Sequence, residues 1–571
     1  MNVKTSLEMS KDISKPEQLI TEHIDIWTSS ILTKSTSGRG NSKKYELYGI
    51  SKLRELILEL AVRGKLVPQD TNDEPASLFL EKIAVEKAEL IKKGEIRKSK
   101  SLPKISKKEQ PFDLPLGWEW IHINEIVGLE NGDRGKNYPN KSALVDKGIP
   151  FINAGQLEGG VVSKKELSYI TQGRFDILNG GKFRNGDILF CLRGSLGKCA
   201  LVSNFGIGAI ASSLIIMRPI MSRLEHFIML VLNSTLTKII ISKYNNGTAQ
   251  PNLSGADLAK FPVPLPPLAE QHRIVAKVDE LMMLCDQLEQ QTEASIEAHA
   301  TLAEVLLATL TDSVDADELA QNWVRIAEHF DSLFTTEQSI EALKKAVLQL
   351  AVIGKLVAQN PDDEPASVLL EKERLIRESK IKKPSSWLEI TENEKLFESP
   401  ESWIWLRFGD VYPLEYGNNL PKLKRSNTGE YNVYGSNGIV GSHNAECVKS
   451  PCIVLGRKGS AGALNISLDD GCWVTDVAYS CIPTKGIDLH FAFMHLKTLG
   501  LDSLGKGIKP GLNRNEAYSL PVAIPPLSEQ HRIVAKVDEL MAICDQLKEK
   551  LQQSQETQVQ LTNALVDRAL G

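Results

Sequence analysis

The peptide EQHRIVAKVDELM stands twice in this 571-residue chain, at residues 270–282 and 529–541, identical at all thirteen positions. An identity of that length marks an internal duplication, so the chain has to be read as two related halves. The repeat reaches well beyond the peptide. LAVRGKLVPQDTNDEPASLFLEK at 60–82 returns as LAVIGKLVAQNPDDEPASVLLEK at 350–372, 290 residues on. Ile20, Glu22, His23 and Asp25 return as Ile326, Glu328, His329 and Asp331, 306 residues on, so the first half holds 16 more residues between these blocks. That excess coincides with the Ser/Gly/Lys-rich stretch Thr33 to Lys44, which reads as a solvated loop. Between the repeated blocks the halves diverge. Trp118-Glu119-Trp120 aligns with Trp403-Ile404-Trp405 at an offset of 285, whereas the thirteen-residue peptides are offset by 259, so the second variable region is 26 residues shorter.

The repeated segments have helical periodicity. From Ile274 the apolar residues fall at Val278, Leu281, Cys285 and Leu288, and the second copy runs Ile533, Val537, Leu540, Cys544, Leu547 and Leu551. Alternating spacings of four and three make a coiled-coil seam. Each of these helices follows a proline-bounded strand exit, PVPLPPLAEQ from Pro262 and PVAIPPLSEQ from Pro521. A second helix type, with Leu53, Leu56, Ile57 and Leu60 in one half and Leu343, Val347 and Leu350 in the other, stops at Gly64 and Gly354. Two copies of each helix in one chain allow packing about an internal pseudo-two-fold axis. His272 and His531, at the foot of the long helices, read as capping or packing residues, and Cys285 and Cys544 as buried small hydrophobes.

The variable regions read as α/β. Asp187 to Val202 and Pro451 to Ile466 each spell a strand, a glycine-rich basic turn and a second strand, while Leu224 to Tyr244 and Leu489 to Leu501 read as helices. The expected fold is therefore α/β: two α/β domains separated by long repeated helices in an antiparallel coiled coil. Its divisions are a helical region and basic linker at 1–110, a first α/β domain at 111–267, a long helix at 268–310, a second helical region and linker at 311–398, a second α/β domain at 399–526 and a closing long helix at 527–571. No run of eighteen apolar residues and no apolar leader occurs, so the expected compartment is the cytoplasm, without a membrane.

Charge separates the two kinds of segment. The chain carries −5, yet Trp118 to Pro266 holds 16 Lys/Arg against 11 Asp/Glu and Trp403 to Ile524 holds 12 against 10. Positive variable regions in an acidic chain suit a polyanion, and the acidic remainder suits a protein partner. The stretch Ile91 to Lys108, with eight Lys/Arg and one Glu, reads as a flexible basic linker that lies along phosphates or merely solubilises.

No catalytic motif is complete. Gly500 to Gly507 fits G-x-x-x-x-G-K but offers Gly507 where a phosphate loop needs Ser or Thr, and no Asn/Asp-Pro-Pro-aromatic tetrapeptide of an amino-methyltransferase is present. His443, Cys447 and Cys452 lack an evident fourth ligand, so no metal is expected. Binding candidates are better founded. Arg193, Ser195 and Lys198 in RGSLGK, and Arg457, Lys458 and Ser460 in RKGSAG, set cations and hydroxyls on glycine turns that serve phosphate oxygens or simply close a hairpin. Their occurrence in both divergent domains favours function. Asn246, Thr248, Gln250 and Asn252 in one half, with Lys506, Lys509, Asn513 and Arg514 in the other, supply amides and cations suited to base edges. Ser436 and Asn437 add a polar turn beside Lys422, Lys424 and Arg425.

Two variable domains, each ending in P-x-x-x-P-P-L-x-E-Q-H-R-I-V at the start of a long helix, together with YGSNGIVG at 434–441 and the RGSLG turn, resemble the specificity subunit of type I restriction–modification systems. The resemblance spans essentially the whole chain, although the long N-terminal extension and residues 311–342 depart from compact members. It implies that each domain reads one half of a split double-stranded DNA target, that the helices set the spacing, and that two methyltransferase subunits bind them. The resemblance also implies two restriction/translocase subunits in the full complex, with S-adenosylmethionine, ATP and magnesium used by the partners and no cofactor or catalysis in this chain. Two other classes stay open on the residues alone: a coiled-coil scaffold without a DNA role, and a fused methyltransferase or nuclease with unrecognised motifs.

Overall fold

The computed structural model describes residues 16–33, 45–98, 100–244, 251–313, 316–368, 370–371, 390–426, 428–506 and 511–570. Two compact units result, one of residues 1–294 with 554–571 and one of residues 295–553. Each unit is an α/β domain set on a small helical bundle.

In the first bundle the helix Tyr48–Val62 buries Ile50, Leu53, Leu56, Ile57 and Leu60. In the second, Glu337–Val352 buries Ile340, Leu343, Val347 and Leu350, with Thr336 Oγ1 accepting from the Ser339 amide at 3.1 Å as its N-cap. Both helices end on a left-handed glycine, Gly64 at φ +66° and Gly354 at φ +77°. The closing bonds match, Lys65 N to Leu60 O at 2.9 Å and Lys355 N to Leu350 O at 3.0 Å. Shape reinforces conformation, because a Cβ on Gly64 would lie 2.5 Å from Pro115 Cγ and 2.9 Å from Trp118 Cζ2, whereas Gly94, also left-handed, has open space around it. Gly64→Ala should therefore destabilise by more than ~2 kcal/mol, and Gly94→Ala by only ~1 kcal/mol. Urea unfolding decides this; equal costs at the two glycines would show that the Pro115–Trp118 contact is immaterial.

The long helices run Leu268–Asp312 and Leu527–Leu570. Side-chain ties give their directions. In the first unit Arg54 reaches Glu289 at 2.7 Å and Tyr48 reaches Asn563 at 2.8 Å, while beyond the other end of the same short helix Gln69 meets Glu270 and Lys65 meets the Leu570 carbonyl. One long helix thus runs against the short helix and the other along it, so the two are antiparallel in this bundle. The second unit repeats the arrangement, with Lys344 on Asp545, Gln359 on Glu529, and Lys355 Nζ on the carbonyls of Thr311 and Ser313. Ile274, Val278, Leu281 and Leu288 are buried in the first core, and Ile533, Val537 and Leu540 in the second, with Leu547 half-buried. Cys285 and Cys544 are buried beside them, and burial pushes the Cys285 thiol up to about 11. The helix break at His23 recurs at His329: Trp27 N bonds His23 O and Leu333 N bonds His329 O, at 3.1 and 2.9 Å.

Each α/β domain is entered and left through one antiparallel pair, 119–122 with 262–265 and 404–407 with 521–524. Above this pair the first domain builds a six-stranded sheet containing the order 127–131, 214–219, 188–191, 199–201. The second builds the same four positions as 414–416, 478–481, 452–456, 464–467. A second sheet in each domain contains a parallel pair, 149–152 with 207–210 and 431–435 with 473–474. The larger sheets of the first domain accommodate its extra residues.

Two expectations need correction. The single helix read from Leu224 to Tyr244 is two helices, Glu225–Asn233 and Thr235–Tyr244, bent by 67° at Ser234. Ser234 and Thr237 both donate hydroxyls to Val231 O at 2.7 Å, which satisfies the carbonyl that the break frees. The basic stretch after Ile91 is no free tether: Ile96 is buried, Arg97 bonds Asn179 O, Glu95 pairs with Arg184, and Pro103 O meets His122. An apolar anchor and a carboxylate inside the run hold it to the first α/β domain. Among the described residues no single helix is long and apolar enough to cross a membrane.

Candidate nucleic-acid interface

The repeated peptide positions each α/β domain through its polar residues. Glu270 is buried and accepts from the Trp118 indole at 2.8 Å and from Gln69 at 2.6 Å; Glu529 accepts from Trp403 at 3.1 Å and from Gln359 at 2.6 Å. Burial outweighs these donors and holds both carboxyls above the usual range. Gln271 and Gln530 each bond a proline carbonyl of the strand exit at 2.9 Å. Arg273 forks onto Asp73 and Arg532 onto Asp363, at 2.6 and 2.7 Å. The domain exit and the glycine-ended helix are thereby clamped to the foot of each long helix.

In the first domain the RGSLG turn links two buried strands and holds Gly194 and Gly197 in left-handed conformations. Lys198 N bonds Ser195 O at 3.2 Å, and Arg193, Ser195 and Lys198 are exposed. The returning loop zips onto the turn: Leu253 N bonds Leu192 O at 2.9 Å, Gly194 N bonds Pro251 O at 3.2 Å, and Arg193 Nε donates to Asn252 Oδ1 at 3.0 Å. Two sequence candidates 59 residues apart thus share one edge. Asn246, Thr248 and Gln250 lie outside the described residues.

The second domain repeats this edge with a shifted register. Its left-handed glycines are Gly459 and Gly462, Ala463 N bonds Ser460 O, and Leu512 N bonds Arg457 O at 2.9 Å. Arg193 therefore corresponds to Lys458, both being bridged to the returning loop, and Arg457 takes the place of buried Leu192. Glycine geometry, not the first cation, sets the alignment. The hairpin tip at Ser436 and Asn437 lies against this turn, since a Cβ on Gly456 would sit 2.4 Å from Ser436 O. Lys422 and Lys424 are exposed on a short 3-10 turn, but Arg425 folds back to Leu420 O and Val440 O, tying that turn to the hairpin. Asn513 is the N-cap of the helix Arg514–Tyr518, its Oδ1 accepting from Asn515 N at 3.0 Å. Lys506 lies in a two-residue strand paired with Gly511, and Lys509 is outside the described residues.

Sequence reasoning missed the strand ends beside these turns. Exposed Asn131 closes the strand 127–131, and Arg134 follows it with its guanidinium on Ser212 O at 3.4 Å. Leu192 N bonds the neighbouring Ser213 O, which places Arg134 on the same edge as Arg193. In the second domain the matching strand end is Tyr416, between Arg457 and Arg514. The available signal was the glycine after each, Gly132 and Gly417, both pressed against backbone where a Cβ has no room. His272 and His531, expected to cap or pack, are exposed instead, because the packed positions of the first turn are taken by the buried Glu270 and Gln271 in one copy and Glu529 and Gln530 in the other. Among the described residues no three His, Cys, Asp or Glu side chains are grouped to hold a metal ion.

The chain is similar to known proteins. A family model described as the type I restriction modification DNA specificity domain matches residues 115–298 and 400–556, each span holding one α/β domain and the start of its long helix. The type I restriction enzyme EcoEI specificity subunit of Escherichia coli is 38% identical over 97% of this chain and all of its own length. The EcoAI specificity subunit of the same organism gives the same identity and coverage. A chain from a solved structure of the type I restriction–modification system is 18% identical, covering 81% of this chain and 99% of its own at a TM-score of 0.49. With both α/β domains matched by the family model and two relatives matched over nearly the whole length, the chain belongs to the type I restriction–modification DNA specificity subunits.

Proposed function

We propose that this chain reads a bipartite target in double-stranded DNA, one half with each α/β domain, and performs no chemistry of its own. One observation carries the reading: domains of unlike sequence build the same edge, a cationic left-handed glycine turn bonded to the returning loop beside an exposed strand end. Such an edge presents cations and backbone amides to phosphates and side chains to base edges. S-adenosylmethionine, ATP and magnesium are then used by the methyltransferase and restriction/translocase subunits, in the cytoplasm. Arg193→Ala should weaken binding to the first half-site and lower the slope of log K against log salt by about 1, with the second half-site unaffected. Titration of duplexes carrying either half-site at several salt concentrations tests this, and an unchanged slope removes Arg193 from the interface.

We further propose that two copies of the methyltransferase subunit dock on the two copies of the repeated peptide. Packing accounts for identity at buried positions only, yet His272/His531, Ala276/Ala535, Asp279/Asp538 and Glu280/Glu539 are identical and exposed. The intervening domains have diverged, so recent duplication does not explain this; a shared partner does. Asp279→Lys with Glu280→Lys should leave one partner bound in place of two, and adding Asp538→Lys with Glu539→Lys should leave none. Native mass spectrometry of the complex reads the count directly, and two partners on the fourfold variant would refute the docking site.

A further inference from the structure

The second domain holds a group of side chains that the shared edge does not require. Tyr416 is 52% exposed, and its ring lies 4.6 Å from the Arg457 guanidinium and 5.0 Å from that of Arg514. Tyr479 lies behind it, 5.1 Å between ring centres. Among the described residues the guanidiniums hydrogen-bond to backbone alone, Arg457 to Asp476 O at 2.9 Å and Arg514 to Leu414 O at 3.5 Å, each also lies over a second ring, Tyr479 and Tyr518, and the buried Nε of Arg514 has no hydrogen-bond partner. Among the described residues neither cation is joined to a carboxylate, although the chain as a whole is acidic. In the first domain the same three scaffold positions carry Asn131, Leu192 and Gly255, with no cation and no ring. The fold therefore does not demand the cluster.

Resting on the DNA-reading role above, we propose that Tyr416, Arg457 and Arg514 form a DNA contact peculiar to the second domain, a stacked pair of guanidiniums that donates to two adjacent acceptors on duplex DNA. Stacking on a tyrosine face fixes the plane of a guanidinium, and a fixed plane is what bidentate donation requires. Adjacent acceptors occur on the guanine major-groove edge and on a phosphate. Leu192 and Gly255 deprive the first domain of this device, so the two half-sites are contacted by different chemistry.

The test uses the full chain with its methyltransferase partner and the variants Tyr416→Phe, Tyr416→Ala, Arg457→Lys and Arg514→Lys. Methylated sites are mapped in the host, and duplex binding is measured across salt concentrations. Tyr416→Phe keeps the ring and should match the parent. If the acceptors are on a base, Arg457→Lys, Arg514→Lys and Tyr416→Ala should each reduce discrimination at one base pair of the second half-site by about tenfold or more, leaving the first half-site intact. With a phosphate as acceptor, Tyr416→Ala and the lysine variants should instead weaken binding to all second half-sites alike by about tenfold without altering base preference. Unchanged discrimination and unchanged affinity in the lysine variants, which keep charge and fold, would overturn the proposal. Its failure is distinct from failure of the DNA-reading role, which Arg193→Ala probes in the other domain.

Discussion

Exchanging residues 118–266 for the equivalent stretch of a relative with another target will rewrite one half of the methylated sequence and leave the other half unchanged. The structure makes this graft mechanically reasonable, because the domain is entered and left through the single strand pair 119–122 with 262–265. The graft carries Trp118 and meets a clamp built entirely from retained residues: Glu270, Gln69, Arg273 and Asp73. The junction is not wholly confined to the clamp. Phe227, Ile228, Val231 and Leu232 belong to the same core as the helix Tyr48–Val62, so the incoming helix has to bring apolar residues at those positions. The surface pair Lys238–Glu55 is expendable, being worth ~0–1 kcal/mol. Mapping methylated bases in a strain carrying the graft reads the outcome. A change in both half-sites, or in neither, would end the model of one reader per domain.

Trp118→Ala and Trp403→Ala should each destabilise their own unit by ~3–5 kcal/mol, the largest effect expected of any single substitution here. Two costs combine. A buried indole packed against Gly64 or Gly354 is removed, and a buried carboxyl loses one of its two donors. Trp118→Phe separates them, since it keeps most of the packing and loses only the donor, for ~1–3 kcal/mol. Direction with pH is also specified. Glu270 and Glu529 already titrate above the usual carboxylate range because burial outweighs their donors. Folded chains therefore retain protons that unfolded chains have released, and stability falls as pH rises from ~4.3 through the raised folded value. Without the indole the carboxyl titrates higher still, so the deficit of Trp118→Ala should widen as pH rises from the parent's folded value to the variant's higher one, and level off above it. Urea titrations of parent and variants at several pH values measure this. A deficit independent of pH would mean that the indole contributes packing alone.

How much of this was legible beforehand depended on the range of the interactions. The thirteen-residue repeat specified two copies of one clamp because three of its polar residues make the same bonds in both copies: Glu on tryptophan and glutamine, Gln on a proline carbonyl, Arg on aspartate. Helix periodicity and the closing glycines at 64 and 354 were equally plain, since a left-handed end and an apolar stripe are local properties of the chain. The candidate cations were picked out by type and turn chemistry, and the domains by divergence and charge.

Only the tertiary structure decided which candidates share an edge. Arg193 meets Asn252 across 59 residues, and Arg457 and Arg514 meet across Tyr416 from strand, turn and helix segments that no spacing relates. It also moved Arg457 out of register with Arg193, because the left-handed glycines and not the charges superpose. The basic stretch after Ile91 is held by Ile96 and Glu95, two residues that its composition obscured, and the bend at Ser234 depends on hydroxyl bonds to one carbonyl. Sequence determines what is local or repeated; contacts between distant segments depend on how loops of unrelated length return to the same sheet end, and that is set by packing.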